Sequence, residues 1–237
     1  RQMALFTLVA ELAGAAVFLV RFGQQLPIGR AVWTSFFQSI SAFNNAGFDV
    51  FGGFRSLTGY QQDPLVLLPT ALLIIAGGIS FVVVADVVRA RSWARLRLDS
   101  KLVLVTSGVL LVLGTVIFML TEYADPDTLG MMSFPQKLMN SFFQSVTART
   151  AGFSTVNMAG VASYALFFTM LLMFIGGASG STAGGIKVNT FGLLVATVWS
   201  SIRGREVPVA FRRQLTAGQV FRALSVITVS YTHLRAH

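Results

Sequence analysis

Cysteine is absent from the 237 residues, and both histidines fall within the last five positions. Disulfides, thiolate metal sites and cysteine nucleophiles are therefore excluded, and the body of the chain has no imidazole for acid–base work. Charge is scarce as well: 11% of residues are Asp, Glu, Lys or Arg, against 54% that are hydrophobic. A soluble core of this size does not use so much apolar material, so the chain reads as an integral membrane protein held in a lipid bilayer. A membrane enzyme would need paired carboxylates or a metal cluster at membrane depth. Only Glu11 and Asp86 come near that, on different segments. A cleavable signal peptide is not expected, because Glu11 interrupts the first apolar stretch and no small-residue cleavage site follows it.

What charge there is lies unevenly. The net charge of +9 would point to nucleic acid in a soluble protein. Here nine of the eighteen basic residues sit in two short stretches: Arg89, Arg91, Arg95, Arg97 and Lys101, then Arg203, Arg205, Arg212 and Arg213. Basic loops beside apolar spans stay in the cytoplasm. The excess is thus a topology signal for a multi-pass plasma-membrane protein, and no nucleic-acid partner is implied.

In chain order, Met3 to Val20 is apolar and of marginal spanning length, with Glu11 expected to face protein or water. Gly29 to Ser41 is apolar and aromatic but too short to cross, and the stretch A-F-N-N-A-G-F-D-V-F-G-G after it has the composition of a loop. The pair reads as a re-entrant helix and loop. Pro64 to Val88 is expected to return as one full-length span. Leu102 to Leu120 then spans outward to an acidic turn, E-Y-A-D-P-D-T, and the pattern begins again. Phe134 to Val146 is the second short aromatic segment and Thr147 to Val156 the second polar loop, followed by an apolar tract from Val161 to Ile202.

That last tract is about twice the length of one crossing, so it must be interrupted. The interruption is legible at Phe174 to Asn189, F-I-G-G-A-S-G-S-T-A-G-G-I-K-V-N, which carries five glycines, small hydroxyl residues and Lys187. Unwound backbone and a lysine at membrane depth belong where protein or water reaches them. The plainer reading is that the glycines allow close helix packing and Lys187 snorkels to the interface. A phosphate loop is rejected: Ile186 separates Gly185 from Lys187, Val188 stands where Ser or Thr is needed, and no soluble strand precedes.

Two matches show an internal repeat near 105 residues. S-F-F-Q-S occurs at Ser35 to Ser39 and at Ser141 to Ser145; A-G-F occurs at Ala46 to Phe48 and at Ala151 to Phe153. A short helix entering the membrane points its partially negative C-terminus at the centre, which favours a cation there. The loop that climbs back can offer carbonyl oxygens in place of a hydration shell. Gly47 and Gly152 would allow the backbone to aim them inward. Asn44, Asn45, Thr147 and Thr150 are expected to brace the loops, and Arg149 to anchor its loop to a carboxylate or to carbonyls behind it.

The loops Ala42-Phe43-Asn44-Asn45-Ala46-Gly47-Phe48 and Thr147-Ala148-Arg149-Thr150-Ala151-Gly152-Phe153 resemble the second and third filter loops of the Trk/Ktr/HKT superfamily of potassium transporters. The run Gly176-Gly177-Ala178-Ser179-Gly180-Ser181-Thr182-Ala183-Gly184-Gly185-Ile186-Lys187 resembles that family's intramembrane gate. The chain looks most similar to bacterial Ktr-type membrane subunits, with a Trk-type subunit or a sodium-translocating relative as alternatives. From other classes, a lipid-acting membrane enzyme and a structural subunit of a larger ATPase stay open. The resemblance implies an all-α membrane protein of helix, re-entrant loop, helix units around a pseudo-fourfold pore. It implies K+ at backbone carbonyls near Gly47 and Gly152, Na+ as an activator, a homodimer and a cytosolic nucleotide-binding regulatory ring. On this reading residues 1–100 form a second repeat, 101–215 a third with a broken returning helix, and 216–230 the start of a fourth. Residues 231–237 are expected to be a non-native tail, and the function to belong to a longer parent protein.

Overall fold

The computed structural model describes residues 1–235 apart from 54, 206 and 212. Arg212 of the second basic cluster and positions 236 and 237 of the tail lie outside the described residues. Among the described residues the regular structure is helical but for one tiny hairpin, in which β1 (Val209–Ala210) pairs antiparallel with β2 (Arg213–Gln214).

Among the described residues two helices are long and apolar enough to cross a membrane: α1 (Gln2–Phe22) and α5 (Leu98–Glu122). At 21 residues, α1 already spans about 30 Å. Both turn bare apolar side chains outward, such as Leu5, Leu8 and Val20 on α1 and Val109, Val112 and Leu120 on α5, as a surface against lipid requires. Each is followed by a short helix. After α1 comes α2 (Ile28–Phe43), and after α5 comes α6 (Phe134–Thr147), which starts at a capping box between Ser133 and Gln136.

The long and short helices are joined in the same way twice. Ser39 Oγ donates to the Glu11 carbonyl at 2.7 Å, and Ser145 Oγ donates to the Leu111 carbonyl at 2.8 Å. One turn further on, Gly14 faces Ser39 and Gly114 faces Ser145, each so closely that a β-carbon would collide with the serine hydroxyl. The main core lies between the repeats, where Phe18, Phe43, Leu67, Ile74, Phe143, Val146 and Phe153 pack together.

The returning segments depart from expectation at one point. Pro64 to Val88 is not a single span: α3 (Pro64–Ile79) and α4 (Phe81–Ala90) meet at 90°, with Ser80 between them at φ 79°. A helix end leaves carbonyls without partners. Here Gly78 O accepts from Ala178 N at 2.8 Å and Gly77 O from Thr182 N at 3.3 Å, so the break is stabilised by the second broken segment. That segment runs from α7 (Ser163–Phe174) through residues 175–187 to α8 (Val188–Ile202). Its interruption falls where the glycine-rich stretch predicts it. The last helix, α9 (Ala217–Arg235), covers the stretch expected to begin a further span.

Candidate functional site

The two glycine loops begin where α2 and α6 end, and they follow the same backbone course. Asn45 (φ 52°) and Thr150 (φ 69°) turn the chain into the left-handed region, and Gly47 (φ 72°) and Gly152 (φ 85°) keep it there two residues on. In each loop a hydroxyl one turn back closes the bend: Ser41 Oγ donates to Phe48 O at 2.7 Å and Thr147 Oγ1 to Phe153 O at 2.8 Å. Backbone bonds run parallel, from Ala46 N to Ser41 O (2.9 Å) and from Ala151 N to Thr147 O (3.0 Å).

The loops meet at their glycines. A β-carbon on Gly47 would stand 2.5 Å from the Ala151 carbonyl oxygen and 2.8 Å from Gly152 Cα, and one on Gly152 would stand 3.2 Å from Gly47 Cα. A β-carbon does not approach backbone as closely as the Gly47 distances require, the Gly152 distance is tight, and β-carbons are strained at both φ values. Among the described residues, no hydrogen bond goes to the carbonyls of Asn45, Ala46, Gly47, Thr150, Ala151 or Gly152. Of these six residues only Ala151 is buried; Asn45, Gly47 and Thr150 are half-buried and Ala46 and Gly152 exposed, so the two abutting loops leave most of these oxygens open to water or to a ligand.

The surrounding side chains hold the loops. Ala42, Phe43, Ala148 and Ala151 are buried behind them, and Phe153 is buried whereas Phe48 is 69% exposed. Asn44 Nδ2 donates to Glu11 Oε1 at 2.8 Å, which gives the one carboxylate of α1 a polar partner. Asn45 Nδ2 donates to Thr182 Oγ1 at 2.8 Å, and Thr150 Oγ1 accepts from Gly184 N at 2.9 Å. Arg149 is buried, and no carboxylate pairs with it among the described residues. Its Nη2 donates to Ser107 Oγ at 3.0 Å and to Gly176 O at 3.4 Å.

Segment 175–187 lies against both loops. Its two ends are zipped together by Gly176 N to Ile186 O (3.0 Å), Ile186 N to Phe174 O (2.9 Å) and Val188 N to Gly177 O (2.9 Å). Gly176, Gly177 and Ala178 are buried, as is Ala183; Ser179, Gly180, Thr182, Gly184 and Gly185 are exposed, and Ser181 is half-buried. Thr182 Oγ1 donates to Phe43 O at 3.1 Å while accepting from Asn45, which locks the segment to the end of α2. Lys187 folds back, its Nζ donating to Ala183 O at 2.7 Å. Ser179 Oγ donates to Asn189 Oδ1 and Asn189 Nδ2 to Asp99 Oδ1, at 2.9 and 2.8 Å, so the segment is also tied to the first turn of α5.

Sequence reasoning missed two sets of residues that position this site. One is the serine and glycine pair on each repeat, whose members lie 106 and 100 residues apart and so do not align in one register. The other is Gly77-Gly78-Ile79-Ser80, which breaks the first returning helix as Gly176-Gly177-Ala178-Ser179 breaks the second. The shared G-G-x-S pattern was the available signal.

Long lipid-facing helices, short inserted helices ending in paired glycine loops with free carbonyls, and broken returning helices define a membrane protein of the re-entrant-loop type. The chain belongs to the TrkH family, described as cation transport protein, whose family model matches residues 1–228. It is 38% identical over 226 residues to Ktr system potassium uptake protein B of Bacillus subtilis, covering 95% of this chain and 50% of that protein. It is 36% identical over 225 residues to potassium/sodium uptake protein NtpJ of Enterococcus hirae, covering 95% and 49%. The chain thus spans about half the length of the curated relatives it matches. The crystal structure of the potassium transporter TrkH from Vibrio parahaemolyticus superposes with a TM-score of 0.71 at 18% identity, over 95% of this chain and 47% of that one, and shares its fold.

Proposed function

We propose that this chain contributes two loops of the selectivity filter of a potassium-uptake protein, with Gly47 and Gly152 at the ion path and residues 176–187 as the gate beneath. The observation that carries this reading is the abutment of two glycine loops whose carbonyls have no internal donors. A K+ ion shed of its water needs several oxygens at once, and backbone carbonyls supply them without adding a fixed charge. The C-terminal ends of α2 and α6 add a negative field at the same place. Uptake is passive through the filter, so no covalent chemistry is required of the protein.

In the same reading the remaining filter loops come from further repeats. Two copies pair, each with its own pore, and the stretches around Arg95 and Arg213 face a cytosolic nucleotide-binding ring. Na+ acts as an activator, in line with the potassium/sodium name of the Enterococcus relative. The experiment is complementation of a potassium-uptake-deficient bacterium by the complete gene. Growth at low external K+ is expected, and no growth despite membrane expression would refute the reading. Uptake that follows Na+ alone would replace it with sodium translocation.

A further inference from the structure

Arg149 presents a problem that the filter reading does not solve. A buried guanidinium without a carboxylate is costly unless its N–H groups are taken up. Two acceptors engage Nη2, yet Nε has no hydrogen-bond partner among the described residues. One other orphan lies close by on the opposite repeat. Asn45 gives its Nδ2 to Thr182, while its Oδ1 is buried and equally without a partner among the described residues. Both residues line one cavity with about 20 Å³ of room, otherwise walled largely by apolar side chains such as Ile74, Ile79, Leu111 and Val146. A water needs roughly 10–15 Å³ and at least two polar partners. The cavity offers the space of one water, with one unused donor and one unused acceptor on its walls. An anion would suit the guanidinium but would be repelled by the amide oxygen.

We infer that this cavity is a single-water site, in which the water accepts from Arg149 Nε and donates to Asn45 Oδ1. Arg149 is then a positioning residue. Through it the third-repeat loop is joined to the second-repeat loop by the water and to Gly176 by Nη2. Asn45 completes the ring through Thr182. The two glycine loops and the segment below them form one hydrogen-bonded unit, so neither loop can shift without loosening the segment. In the loop of repeat two Asn44 stands where Arg149 does in the other, and its Nδ2 turns to Glu11, so it builds no matching cross-tie. The bridge itself rests on geometry alone; its effect on ion passage rests on the potassium reading.

The test is a double-variant cycle on the purified full-length protein, read by thermal unfolding. N45A and R149K each remove one side of the bridge, and each is expected to lower the midpoint by about 2–4 °C. Each variant also loses bonds of its own, Asn45 to Thr182 and Arg149 to Ser107 and Gly176, so the double variant N45A/R149K is expected to fall by clearly less than the sum of the two singles. N45D keeps an acceptor and is expected to melt above N45A. R149Q, which also lacks Nε, serves if R149K does not assemble. Additive loss in N45A/R149K overturns the inference, as does a high-resolution map with both side chains resolved and no solvent density within hydrogen-bond range of both. Melting does not depend on which ion is carried, so a failure of potassium uptake and a failure of the bridge are separate results.

Discussion

At the scale of single residues, Gly47 and Gly152 bear the tightest constraint. Each holds a positive φ; a β-carbon has no place at Gly47 and would be crowded against the other loop at Gly152. Gly47→Ala must therefore push the loops apart. In the full-length protein, preference for K+ over Na+ is expected to fall about tenfold, equivalent to about 1.4 kcal/mol. Rb+ uptake in vesicles under Na+ competition measures this, and unchanged competition for both Gly47→Ala and Gly152→Ser would remove these glycines from the filter. The importance of the glycines was legible in the repeated A-G-F. The geometry of Arg149 was not, because its partners Ser107 and Gly176 lie 42 and 27 residues away and no local pattern announces them. Nor does Arg149 meet the carboxylate that the sequence allowed as one alternative; it meets a hydroxyl and a carbonyl.

At the scale of elements, the segment between α7 and α8 is held by side chains of the loops and by carbonyls of α3. Thr182 makes two of those bonds, one received and one given. Each is worth about 1 kcal/mol net. Thr182→Val is expected to raise flux in the absence of an activating signal by up to about thirtyfold if both are lost on opening. Flux equal to the unaltered protein's would separate the segment from gating. The paired anchors of the short helices make a second prediction. Gly14→Leu and Gly114→Leu each force a side chain into a serine on the inserted helix, and both should lower the melting midpoint and K+ uptake together. A change in only one of the two would show that the repeats are not mechanically alike. Helix existence was readable from apolar run length, and α1, α2, α5 and α6 lie where the runs predict. The break at Ser80 was not, because an apolar tract of 25 residues fits a straight crossing. What bends it is a hydrogen-bonding partner more than ninety residues away.

At the scale of the whole molecule, the repeat is architectural before it is functional. Long helix, inserted helix, glycine loop and broken returning helix occur twice in the same order, and the core lies where the two units meet. The proposed orientation, with the basic stretches on the cytoplasmic side, can be tested directly. The 237 residues hold no cysteine; in a full-length protein with any other cysteine replaced, Arg95→Cys and Asp125→Cys are expected to label from opposite sides of the membrane with an impermeant reagent. Labelling of both from one side would invert the proposed topology. The crossing at Ser80 bears on how such a pore could open. Gly77 and Gly78 lend their oxygens to the backbone amides of Thr182 and Ala178, and a displaced plug leaves those oxygens bare in a setting that punishes bare oxygens. If residues 176–187 are the gate, opening is inseparable from wetting: the passage must flood as the plug departs, and solutes that draw water out of it will press it shut.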